Sequence, residues 1–176
     1  QHHCIKAIRE NKQWLIDLKN SNTGDITTVK CSVLVNAAGP WVADLFATII
    51  DVKAPQNVRL IKGSHIVVPK IHDGDKAYIL QNEDQRIVFV IPYENDFTLI
   101  GTTDIEIKQD PATVKISNDE IDYLVSVTNN NFKKKICRSD IVHTYSGVRP
   151  LLDDESASAH AITRYYTIEI NTDEEW

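Results

Sequence analysis

Val58-Arg59-Leu60-Ile61-Lys62-Gly63-Ser64-His65-Ile66-Val67-Val68-Pro69 is a run of apolar and β-branched residues carrying one glycine and one histidine. It predicts a long strand, and the sequence around it extends the same β-rich texture. Further strands are predicted at 77–80, 86–91 and 97–102, with Glu94-Asn95-Asp96 as the hairpin turn between the last two. One clear helix follows. Ser117 and Glu120 form a capping box, and Ile121, Leu124, Val125, Thr128 and Phe132 share one face. Lys133, Lys134 and Lys135 sit near its C-terminus, where positive charge suits the helix dipole. Residues 141–148 and 161–170 read as two more strands, separated by the polar loop Asp153-Asp154-Glu155-Ser156.

Upstream of residue 58 the pattern differs. Three short extended segments, at 4–9, 14–18 and 26–31, are linked by turn residues such as Asn20-Ser21-Asn22-Thr23-Gly24-Asp25 and predict a β-meander. Residues 32–38 contain Val33-Leu34-Val35, a continuous apolar run that predicts a strand buried on both faces. The run ends in Ala37-Ala38-Gly39-Pro40, and 41–50 reads as a helix whose first turn accommodates Pro40. A boundary is expected within 51–57.

The 176 residues carry 19 Lys and Arg against 25 Asp and Glu, a net charge of −6, which disfavours a general nucleic-acid binder. Hydrophobic residues at 42% and charged residues at 25% fit a soluble globular protein and argue against disorder. No apolar run approaches the ~18 residues of a membrane span. Cys4, Cys31 and Cys137 are widely spaced with no C-x-x-C, so a disulfide framework or structural zinc site is not expected. His72, His143 and His160 have no partners at metal-ligand spacing, and no metal is expected. The chain contains no Met, and it reads as a piece of something longer.

Four segments could carry chemistry, and each also has an ordinary structural reading. Ala37-Ala38-Gly39 would let a ligand approach the backbone closely, or would simply be a strand-to-helix turn. Gly63 weakens a strand, which points to something packed against it, and His65 lies two residues on, on the same face. His65 could act as a general base, or be a satisfied strand histidine. Thr102, in Gly101-Thr102-Thr103-Asp104, could bind a ligand or cap a turn. Arg149, with Gly147 clearing space and Pro150 holding it extended, could converge with Arg164 on one phosphate or carboxylate. Pairing with Asp153, Asp154 or Glu155 is the other reading. There is no G-x-G-x-x-G and no P-loop.

Taken in order, the 58–69 strand, Ile79-Leu80-Gln81-Asn82-Glu83-Asp84, Ile100-Gly101-Thr102-Thr103-Asp104 and Tyr145-Ser146-Gly147-Val148-Arg149-Pro150-Leu151 closely resemble the middle of the FAD-dependent, quinone-linked glycerol-3-phosphate dehydrogenases of aerobic metabolism. The resemblance covers essentially the whole chain. It implies an α+β fold: part of a Rossmann-like FAD domain in residues 1–54, then a mixed or antiparallel-sheet substrate domain in 55–176. It implies FAD as cofactor and oxidation of sn-glycerol 3-phosphate to dihydroxyacetone phosphate, with electrons passed to quinone. Arg149 and Arg164 would hold the substrate phosphate, His65 would be the base for the C2 hydroxyl, Thr102 its hydrogen-bonding neighbour, and Ala37, Ala38 and Gly39 would pack against FAD. The family further implies a cytoplasmic enzyme, peripheral on the inner face of the cytoplasmic membrane through parts outside these residues, and allows a homodimer.

Two departures stand out. The glycine-rich dinucleotide turn is missing, and Tyr165 stands where an acidic partner for Arg164 is expected. The 176 residues alone are therefore expected to bind FAD poorly and to lack dehydrogenase activity. A glycerol-3-phosphate oxidase, an amino-acid oxidase-type flavoprotein, or a non-catalytic interaction module are the alternatives.

Overall fold

The computed structural model describes the chain except residues 52–53, 155–158, 160, 161, 163 and 169–176. It divides into two compact units, one from Gln1 to Val58, with which residues 164–168 are grouped, and one from Arg59 to Ile162.

The first unit holds the antiparallel meander β1 (His2–Glu10), β2 (Gln13–Asn20) and β3 (Ile26–Cys31), in that spatial order. Ala7 and Ile16 face each other across β1 and β2 and are both buried. The helical stretch opens as a tight 3-10 turn at Gly39–Trp41, becomes α1 (Val42–Leu45), and widens to a π-turn at Phe46–Ile50 that packs against β1. Pro40 occupies its first turn, where no N–H is needed.

Residues 32–38 do not form the expected strand. They are irregular, and Val33 and Val35 are 71% and 77% exposed. A strand buried on both faces needs paired neighbours and covering layers. Among the described residues nothing pairs with this run. The strand expected at 161–170 is also unformed over its described part. Residues 164–168 are irregular, and Tyr165, Tyr166 and Ile168 lack the half-buried face that would hold them in a sheet. Ile162 is a buried bend, and the rest of that expectation, with part of the loop 153–156, lies outside the described residues.

The second unit is a sheet built on β4 (Val58–Pro69). β5 (Tyr78–Gln81), β6 (Ile87–Tyr93) and β7 (Phe97–Gly101) form an antiparallel series ending on β4. β8 (Ile105–Ile107), a short strand without a clear sequence signal, and β9 (His143–Leu152) also pair with β4. Strand alternation sends Ile66 and Val68 of β4, Val88 and Val90 of β6 and Ile100 of β7 to one face. There they form one core with Leu124 and Val127 of α2 (Asn118–Asn131). The capping box starts α2: Glu120 N–H donates to Ser117 Oγ at 3.2 Å, and Ser117 N–H donates to Glu120 Oε2 at 2.7 Å. Beyond the helix end, Lys135 Nζ donates to the Phe132 carbonyl at 3.0 Å, so this one lysine of the run serves the helix terminus, while Lys134 Nζ donates to the Lys70 carbonyl at 2.6 Å.

Candidate functional site

The other face of the same sheet carries Gly63 and His65. β7 and β8 pair with successive stretches of β4, His65 opposite Gly101 and Lys62 opposite Ile105. Gly63 and Ser64 therefore stand opposite three residues, Thr102, Thr103 and Asp104. This unequal count is a bulge, a device that re-aims side chains. Here it sends Thr102 and Asp104 toward Arg149 of β9, and Thr103 toward α2.

Arg149 is held by two contacts. Nη2 donates to Thr102 Oγ1 at 3.2 Å, and Nη1 donates to Asp104 Oδ1 at 3.3 Å. The Thr102 hydroxyl gives its own proton to the Thr103 carbonyl at 2.9 Å, so toward Arg149 it acts as an acceptor. The guanidinium lies directly over Gly63, where a β-carbon would stand 2.4 Å from Thr102 Oγ1 and 2.5 Å from Arg149 Nη1. The glycine that makes room for Arg149 is thus Gly63 on the facing strand. A β-carbon on Gly147 would meet nothing within 4 Å.

His65 rests on Gly101, which is equally constrained: a β-carbon there would lie 2.2 Å from His65 Cδ2. Its other side is covered by Tyr145, stacked at 4.8 Å between ring centres with 9° between planes. Nδ1 is enclosed without a hydrogen-bond partner. Burial, and then the positive charge of Arg149, push the His65 pKa below its ordinary value. The ring is neutral at pH 7 and able to accept a proton.

Beneath this face lies a group that sequence reasoning missed. Glu120, placed there as a capping residue alone, also accepts from Lys62 Nζ at 2.7 Å, Ser64 Oγ at 2.7 Å and Thr103 Oγ1 at 2.7 Å. Lys62 donates as well to the Lys115 carbonyl at 3.0 Å. Burial opposes ionisation of Glu120, but the Lys62 ammonium, the Ser117 N–H and the two hydroxyls outweigh it and bring its pKa down to about 2. A signal for this network was present. Alternation puts Lys62 and Ser64 on the face of Ile66 and Val68, and a lysine on an apolar face requires a counter-charge.

The structure brings His65, Thr102 and Arg149 together. Arg164 is an exposed residue of the other unit, as are Ala37 and Gly39, with Ala38 half-buried between them. Asn36 braces that turn, its Nδ2 donating to the Val42 carbonyl at 2.9 Å while its Oδ1 accepts from Ala38 N–H at 3.2 Å. Gly39 has φ +56°, and a β-carbon there would meet no atom within 4 Å. This open, small-residue turn fits the close approach of a flat ring system such as a flavin. Among the described residues no cluster of His, Cys, Asp or Glu is placed to hold a metal ion.

In the second unit, then, one face of the sheet is covered by α2 and the other carries Arg149 and His65. The family model for FAD dependent oxidoreductases matches residues 1–168, and the chain belongs to this family. Over 168 residues it is 54% identical to the aerobic glycerol-3-phosphate dehydrogenase of Escherichia coli, covering 96% of this chain and 34% of that protein. It is 44% identical over 167 residues to D-erythritol 1-phosphate dehydrogenase of Brucella abortus, covering 95% and 33%. The structure of the glycerol-3-phosphate dehydrogenase from Bacillus halodurans complexed with FAD superimposes with a TM-score of 0.74 at 26% identity, over 88% of this chain and 32% of that one. The chain spans about a third of the length of the curated relatives it matches.

Proposed function

We propose that these residues belong to an FAD-dependent dehydrogenase that oxidises sn-glycerol 3-phosphate to dihydroxyacetone phosphate. The observation that carries this reading is Arg149, fixed over Gly63 by Thr102 and Asp104 within the same sheet face as His65. Support comes also from two relatives named for the oxidation of polyol phosphates, which share a phosphate and a secondary alcohol.

In this reading Arg149 binds the substrate phosphate, each charge-assisted bond contributing about 1.5–3 kcal/mol. Asp104 and Thr102 hold the guanidinium before substrate arrives, so little ordering remains to be done on binding. With Nδ1 of His65 enclosed, Nε2 takes the proton from the C2 hydroxyl. FAD, when bound, supplies the acceptor for the C2 hydrogen and its electron pair, which leaves the ketone. Ala37, Ala38 and Gly39 would form one wall of the flavin site, with residues 1–54 as part of the FAD domain and 55–176 as the substrate domain. The electrons pass to a quinone, in an enzyme peripheral on the inner face of the cytoplasmic membrane, a reading supported by the resemblance of the sequence motifs alone. No helix among the described residues is long and apolar enough to cross a membrane.

The test is turnover of sn-glycerol 3-phosphate and D-erythritol 1-phosphate by the FAD-loaded full-length enzyme, before and after Arg149→Ala. A large rise in KM for the phosphorylated substrate is expected. An Arg149→Ala enzyme with unchanged KM for both would reject the reading.

A further inference from the structure

Two independent ties fix Arg149, and both lead to one carboxylate on the opposite side of the sheet. The first runs through the bulge. Glu120 Oε1 accepts from Thr103 Oγ1 at 2.7 Å, and Ser64 N–H donates to that same hydroxyl oxygen at 3.0 Å. Thr103 is fully buried, and its flanking residues Thr102 and Asp104 are the ones that grip the guanidinium. The second tie runs through β9. Glu120 Oε1 also accepts from Ser64 Oγ, which lies 2.9 Å from Ser146 Oγ, three residues before Arg149. Glu120 is itself immobilised as the third residue of α2 by its reciprocal bonds with Ser117.

We propose that Glu120 is a positioning residue for the anion site, holding Arg149 in place through Thr103 and through Ser64–Ser146 without touching substrate. The proposal rests on the reading of Arg149 as a phosphate ligand for its functional meaning, but the positioning itself is a property of the unliganded chain. The start of α2 thereby sets the geometry of a site on the far face of the sheet. Satisfied buried networks of this kind lock rotamers, which is how a supporting shell makes a binding group stiff.

The experiment measures water exchange of the Arg149 side-chain N–H protons by NMR in the unliganded, isotope-labelled chain. Thr103→Val removes the central hydroxyl while leaving the Lys62–Glu120 pair intact, and should speed that exchange about fivefold, the ratio one neutral hydrogen bond supports. Thr103→Ser should restore it. Ser146→Ala, which cuts only the second tie, should move it in the same direction and serves if Thr103→Val does not fold. Exchange at the parent rate in every folded variant, or failure of Thr103→Ser to restore a rate that Thr103→Val changed, would overturn the proposal. A parallel titration with sn-glycerol 3-phosphate, parent against Arg149→Ala, reads the phosphate site separately. If that pair fails to differ, the ligand reading falls while the exchange result stands on its own.

Discussion

Arg149 occupies the space that a side chain at residue 63 would need, its Nη1 lying 2.5 Å from the position of a β-carbon on Gly63. The glycine sits mid-strand, where it weakens β structure by itself. Its place there is explained by the arginine laid across it from β9.

Gly63→Ala should therefore cost more than a methyl group usually does. Thr102 Oγ1 would be 2.4 Å away, so both the arginine and the bulge must shift. A stability loss of about 1–3 kcal/mol is expected from overpacking, read by urea denaturation, together with loss of phosphate-ester affinity. A Gly63→Ala protein with parent affinity would show that the close approach is incidental.

Removing Glu120 should be among the most damaging single changes in the second unit. Lys62 is 7% exposed and would be left charged and buried. Breaking such a pair from one side costs about 3–5 kcal/mol, so Glu120→Ala should unfold at much lower denaturant. The double change Lys62→Met with Glu120→Leu should recover only part of the loss: neither charge then remains to be desolvated, but the Ser64 and Thr103 hydroxyls and the Ser117 N–H lose their acceptor.

Acid should act on stability in two stages. The folded-state pKa of His65 is lowered, so the unfolded chain binds that proton first, and stability falls as pH drops below the ordinary value of 6.5. Glu120, about 2 in the folded state against an ordinary 4.5, contributes about 3 kcal/mol that is present above pH 4.5 and is lost as pH falls toward 2. Stability against pH, measured by thermal denaturation, should lose its upper step in His65→Gln and its lower step in Glu120→Gln.

Gly101→Ala should displace the imidazole without touching the arginine, since its β-carbon would meet the His65 ring at 2.2 Å. In the full-length enzyme kcat should fall with KM little changed, and His65→Gln should lower kcat and flatten its pH profile. Near-normal turnover of His65→Gln with an unchanged profile would remove His65 as the base.

Much of this molecule was legible along the chain. The meander, the long β4, the β6–β7 hairpin and the capped α2 follow from alternation, turn residues and a four-residue capping signature, all of them local. His65, Thr102 and Arg149 were singled out by the glycines and the proline around them. Residues 32–38 and 164–168 failed because an apolar or alternating pattern states only that a segment could pair. Whether it does depends on a neighbour elsewhere in the chain.

By itself, then, the sequence determined the period of each element, the start of α2, and which residue types could carry a phosphate and a proton. Tertiary structure alone decided that Gly63 rather than Gly147 makes room for Arg149, that Asp104 is the arginine's carboxylate, and that Glu120 serves Lys62 and Thr103 as well as its helix. These contacts join residues from 17 positions apart, Thr103 to Glu120, up to 86 apart, Gly63 to Arg149. Their partners are chosen by strand register and by a bulge of one residue, and neither leaves a local trace.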